Sequence, residues 1–271
     1  MPAPHASIRP PAVAGSFYPA DPATLQRTVD TLLGAPPVRL EHAPKALIVP
    51  HAGYVYSGTT AGHGYAALAP WAATIHRVIL LGPTHRVAVR GLALPVSDAF
   101  AMPLGDIRID AAGVAAIASL PQVVFSDAVH AFEHALEVQL PFLQRLLGSF
   151  TLLPLAVGDA SPAAVAEVLD RVWGGPETLI VVSADLSHFL PYATAQQVDR
   201  HTSQRILDFA TDLRPEETCG AYPLNGLLLA ARQRGLQPQL LALCNSGDTA
   251  GDRHRVVGYA AFALCPEADH V

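Results

Sequence analysis

The chain has 271 residues, 51% of them hydrophobic and 15% charged, with a formal charge of −6. That balance argues against disorder, and with no basic run it argues against a nucleic-acid surface. No stretch approaches the roughly 18–20 uninterrupted apolar residues of a membrane helix. The first residues show no apolar signal core, and Cys219, Cys244 and Cys265 are too few and scattered for a disulfide framework, so a reduced, cytoplasmic protein is expected.

Residues 1–14 are proline-rich and read as an arm over the surface. Asp21 is expected to cap a helix over 22–33 with Pro22 at its first position, and a linker follows over 34–44. Residues 46–49, ALIV, form an apolar run that Pro50 ends, because proline has no N–H for a ladder. His51 comes next. A helix over 57–68 follows, with Ser57 as its cap. The device repeats at 78–81, where Gly82-Pro83 breaks the run and His85 lies just beyond. Residues 91–96 are another apolar run, 100–109 an irregular segment or short hairpin, and 123–125 a brief strand, with a small helix starting at Asp110 between the last two. Apolar positions 136, 140, 143, 146 and 147 have helical spacing over 133–147, with Pro141 implying a kink or a late start. Residues 151–157 read as a strand that Pro154 places near an edge or bulge. Ser161-Pro162 opens a helix. Residues 178–183, TLIVVS, read as a strand that delivers Asp185 and His188. Helices over 193–209 and 225–234 precede strands over 238–243, ending at Cys244, and 256–264. Strands alternating with helices predict the α/β class: a single three-layer α/β/α domain over 1–271 with a mixed, largely parallel central sheet.

Open α/β sheets place their chemistry past the C-terminal ends of strands. His51, His85 and Cys244 each follow a strand-like run there. Two imidazoles and a thiolate suit Fe(II), Cu or Zn; the plain alternative is two loop histidines and a buried cysteine. Asp185, three residues before His188, is placed to orient an acid/base imidazole, or else to serve as a turn residue. His130–His134 matches the H-x-x-E-H pattern of inverted zinc peptidases. Pro141 disturbs the helical frame that chemistry needs, so Glu133 is expected as a first-turn acid, with Glu133, His134 and Glu137 lining a pocket. No dinucleotide fingerprint, P-loop or nucleophile elbow is present.

The segments AGSFYP (14–19), PHAGYVYSG (50–58), GPTH (82–85), EHALEVQLPFL (133–143), SADLSH (183–188) and CGAYP (219–223) occur in that order, followed by NSGD and VVGYAA within 245–261. In this the chain resembles the Memo family, labelled AmmeMemoRadiSam system protein B in microbes. The resemblance implies a fold similar to class III extradiol dioxygenases. It also implies a metal, Fe(II) first with Cu or Zn as alternatives, on His51, His85 and Cys244, with His188 beside Asp185 as the acid/base pair. Tyr54, Glu133 and His134 are expected to line the pocket. A small-molecule or peptide ligand is implied, with a functional link to a radical-SAM protein and an AMMECR-type protein. The resulting expectation is a non-haem iron or copper oxygenase or oxidoreductase. A non-catalytic scaffold using the same pocket is the alternative, and a zinc hydrolase is a further one.

Overall fold

The computed structural model describes residues 7–34, 36 and 38–267; residues 1–6 of the expected arm lie outside these. In chain order the elements are β1 (Ile8–Arg9), α1 (Pro22–Leu33), β2 (Ala46–Val49), α2 (Tyr54–Ala66), β3 (Arg77–Pro83), β4 (Leu92–Leu94), β5 (Ala99–Phe100), β6 (Ile107–Arg108), α3 (Ala111–Ile117), β7 (Val123–Phe125), α4 (Asp127–Ala131) and α5 (Leu140–Leu147). The second half continues with β8 (Thr151–Val157), α6 (Pro162–Val172), β9 (Thr178–Ser183), β10 (His188–Leu190), α7 (Tyr192–Leu207), α8 (Ala221–Gln233), β11 (Leu236–Asn245) and β12 (Val256–Pro266).

The fold is α/β, built on a mixed nine-stranded sheet. Its centre is parallel, in the order β2-β9-β3-β8. Antiparallel strands flank it: β12 joins β2 and carries β10 and β11 on its far side, while β4 joins β8 and carries β7. Strand side chains alternate between faces, and the core divides accordingly. Ile48, Ile79 and Ile180 pack with α6 and α8 on one face. Leu47, Leu80 and Val181 pack with α1, α2 and α5 on the other. Three layers follow from that alternation.

Most caps and breaks fall where the residues place them. The Asp21 side chain caps α1 by accepting from Thr24 N, and Ser161 caps α6. Pro141 gives a late start: a 3-10 turn over Glu137–Gln139 precedes α5. Two expectations need correction. α2 begins at Tyr54, three residues before Ser57, whose hydroxyl donates to Ala52 O. β8 is an inner strand despite Pro154; β4 reaches it only at Ala156 and Val157, so the proline stands where that ladder has ended. Within residues 7–14 of the expected arm, β1 pairs with β5 in a separate three-stranded sheet, and Arg9 is 5% exposed.

α2 and α1 pack closely because Gly62 lacks a side chain: a Cβ there would stand 2.4 Å from Leu32 O. Alanine ordinarily gains about 1 kcal/mol over glycine inside a helix, but here the backbone contact outweighs that gain. Gly62→Ala is expected to lose about 1–3 kcal/mol of stability in a denaturant melt. A second packing feature is pH-sensitive. His130 is 2% exposed and donates Nε2–H to Ala93 O at 2.9 Å. Burial pushes its pKa down to about 4. The unfolded chain therefore takes up this proton first, so stability is full above pH ~6.5 and falls as the pH drops from there towards 4. His130→Gln keeps a donor in place of Nε2–H without the titration. Between pH 7 and 4 it should lose on the order of 2–3 kcal/mol less stability than the parent in chemical denaturation.

Candidate metal centre

β2, β3 and β9 run in parallel, so their C-terminal ends meet at one rim. His51 follows β2 by two residues, His85 follows β3 by two, and Ser183 closes β9 with Asp185 just beyond. The third imidazole comes from the irregular segment 132–136 between α4 and the 3-10 turn. His51, His85 and His134 each offer a ligand atom within 4.8 Å of the others. The rings of His85 and His134 stack with centroids 4.7 Å apart, and His51 stands edge-on to both.

Hydrogen bonds fix which nitrogen each ring presents. The single hydroxyl hydrogen of Ser183 goes to Ala135 O at 2.7 Å. Its oxygen accepts from Gln139 Nε2 at 2.8 Å and therefore also accepts from His51 Nδ1 at 2.9 Å. Gln139 is itself locked, because its amide also donates to Pro50 O and accepts from Tyr65 OH. His85 Nδ1 lies 2.9 Å from Glu133 Oε1, an oxygen that only accepts. His134 Nδ1 lies 3.4 Å from the same oxygen. The His51 and His85 rings thus carry a proton on Nδ1 and turn Nε2 away from that partner, the arrangement of a metal-binding histidine with its outer partner.

Burial and the neighbouring imidazoles act on two of the rings. Burial, followed by His85, holds His51 down to about 3; burial, followed by His51, holds His134 down to about 4. Both are neutral near pH 7, the form that binds a cation. Glu133 is 1% exposed. Burial alone would raise its pKa, but the His85 ring and the backbone N–H groups of His85 and Ala135 outweigh burial and bring it to about 2. Three imidazoles around one point suit Zn, Fe or Cu.

Several expected positions move. Cys244 is outside this set. It lies on β11, and β12 runs between β11 and β2, so two strand spacings of about 5 Å separate its strand from the one that leads to His51. Its sulfur meets Thr60 Oγ1 at 3.0 Å beside a separate cavity of about 100 Å³. The thiol near the cluster is that of Cys219, 3.4 Å from His51 Nε2. Asp185 accepts from His51 N at 2.8 Å and makes no hydrogen bond to His188 among the described residues. Burial raises its pKa. Tyr54 turns into the core, donating to Val138 O and packing on Phe142. Two residues along a helix is about 200° of rotation, and it is Tyr56 that faces the pocket. His130 of the H-x-x-E-H pattern is held at Ala93, because α4 ends at Ala131 before one helix can carry both histidines.

The cluster forms a wall between two cavities of similar size. One, about 580 Å³, is lined by His134, Asp185, His188, Phe17, Tyr56 and Phe189. The other, about 590 Å³, is lined by His85, Cys219, Val87, Val89 and Tyr222.

Residues 9–263 match the family model described as Memo-like protein. The chain is 37% identical to a MEMO1 family protein of Methanopyrus kandleri, covering 94% of this chain and 98% of that one. It is 35% identical to a MEMO1 family protein of Aquifex aeolicus, covering 93% and 97%. An uncharacterized protein of Escherichia coli K12 with a solved structure overlays at a TM-score of 0.46 with 12% identity, over 81% of this chain and 98% of that one. On the extent of the family match and the identity of these relatives, the chain belongs to the Memo family.

Proposed function

We propose that the chain is a metal-dependent oxidoreductase of the oxygenase type, holding a non-haem metal, Fe(II) before Cu, on His51, His85 and His134. The observation that carries this reading is the convergence of three imidazoles, with Nδ1 of His51 and of His85 held by an outer partner, at the edge of an open pocket. When bound, the metal supplies a Lewis acid and a redox-active centre with positions left for small ligands.

The protein's own groups account for the rest. Glu133 and Ser183 orient the rings and keep their Nε2 atoms directed inward. Phe17 packs against His134 with ring centroids 4.7 Å apart, keeping water from that side of the ring. Tyr56 and Phe189 give the pocket aromatic walls, and the Arg255 guanidinium lies 5.0 Å from the Phe189 ring centre. A planar or aromatic substrate, free or within a peptide, suits such walls. His188 lines the same pocket, where its ring would take or return a substrate proton, and Asp185 lines it too while accepting from His51 N.

A zinc hydrolase is the second reading, and one observation favours it. Three histidines with no anionic ligand are also the donor set of one class of catalytic zinc site. Metal content separates the two. Protein purified anaerobically and analysed for metals should carry iron or copper and consume O₂ with catechol-type compounds; stoichiometric zinc with ester hydrolysis and no O₂ uptake would overturn the oxygenase.

His134→Ala should lower metal affinity by more than about 100-fold, beyond the range of outer-partner changes, whereas Cys244→Ser should leave it unchanged; equilibrium dialysis reads both. His188→Ala should keep its metal and lose about 10²–10⁴-fold in kcat. Full turnover in that variant would remove His188 from proton transfer.

A further inference from the structure

We infer that Arg9, far from the histidines in sequence, is a positioning residue of the metal centre. It holds segment 130–137 so that Glu133 and His134 face His85 and His51. The inference rests on the metal-centre reading above and adds a residue to it.

The guanidinium makes three contacts with that segment. Nε donates to His130 O at 2.7 Å, Nη2 donates to Glu133 O at 2.8 Å, and Nη1 donates to Glu137 Oε2 at 2.7 Å. Its carbon lies 4.8 Å from the centre of the Phe100 ring. The planar fork thus fastens the segment before, at and after the residues that build the site. Glu137, fully buried, fastens it again from the same stretch of chain: its carboxylate accepts from Ala12 N, Val13 N and Tyr18 OH. Phe17, also in this stretch, packs on the His134 ring while its carbonyl accepts from Tyr54 N at 2.8 Å. Residues 9–18 therefore join the His134 segment to the turn after His51.

Burying an ion pair adds little net stability compared with apolar packing of the same volume. What this pair supplies is geometry. Without Arg9, two buried carbonyls lose their donor and Glu137 loses its cation, so segment 132–136 has no fixed register. Glu133 would shift with it, and so would its contacts to His85 N and Nδ1.

Arg9→Lys keeps the charge beside Glu137 without the fork, and Arg9→Met removes both. Each variant is to be checked by circular dichroism and titrated with Co(II). Cobalt affinity should fall about 10–100-fold, the range for lost outer partners, with a changed visible spectrum. Millimolar guanidinium should restore part of it to Arg9→Met. Cys244→Ser should behave as the parent. In ¹H–¹⁵N spectra of metal-free protein, the His85 Nδ1–H signal should shift or broaden in Arg9→Lys and persist in Cys244→Ser. If the parent takes up no cobalt, the metal reading falls, and this ring signal still decides the role of Arg9. If neither Arg9 variant folds, Tyr18→Phe loosens the same clamp without removing a charge and should lower cobalt affinity or shift the ring signal. Parent-like affinity together with a parent-like ring signal, in a folded Arg9 variant or in Tyr18→Phe, would overturn the inference.

Discussion

The site depends on one carboxylate. Glu133 accepts from His85 Nδ1, His134 N and Ala135 N at Oε1 and from His85 N at Oε2, so both oxygens have donors. A buried anion is tolerable only with that degree of compensation. The same donors make its direction unambiguous. Because it only accepts, it sets the tautomer of the His85 ring, and its Oε1 faces His134 Nδ1 as well. His51 gets the same result from a neutral group, Ser183, whose hydroxyl is held by Ala135 O and Gln139. The three rings are therefore inequivalent. The pair beside Glu133 sits next to a full negative charge, which strengthens an imidazole as a donor to a cation, while His51 relies on a dipole.

His51 and His85 were legible in the sequence because each sits just past a strand that can be recognised from its own residues. Apolar runs ended by Pro50 and by Gly82-Pro83 announce β2 and β3, and parallel pairing brings their ends to one rim. Cys244 obeys the same local rule and fails, since no local rule states where a strand is inserted. β12 comes last in the chain and lies between β11 and β2. His134 was missed as a ligand for the opposite reason. It lies on no regular element, and the H-x-x-E-H spacing suggests a helix that ends at Ala131. Its placement comes from tertiary hydrogen bonds, which leave no periodicity to read.

The two cavities give the centre an asymmetric setting. His134 and Asp185 face the cavity with the aromatic walls, whereas His85 and Cys219 face the one lined by Val87, Val89 and Tyr222. His51, 2% exposed, stands behind both. A ligand arriving from one side meets a stacked imidazole and a carboxyl group; from the other it meets a thiol and aliphatic walls. Cys219 sits just before α8 with its sulfur 3.3 Å from Asp185 N and 3.4 Å from His51 Nε2, and burial keeps that thiol protonated by raising its pKa. With the Nε2 lone pair free, the S–H is the group that donates to it.

These contacts join parts of the chain that are distant in sequence. Arg9 meets Glu137 across 128 positions, and His51 meets Ser183 across 132. Closing such loops has an entropic cost, which the pairing of β2 with β9 and β12 shares. The three imidazoles converge only when the first and middle parts of the chain have docked. A cation that binds the converged rings and not the separated ones favours that docking by mass action. On the proposed metal reading, the centre and the N-terminal segment would be coupled in both directions: residues 9–18 would order the three imidazoles, and an occupied centre would hold residues 9–18 in place.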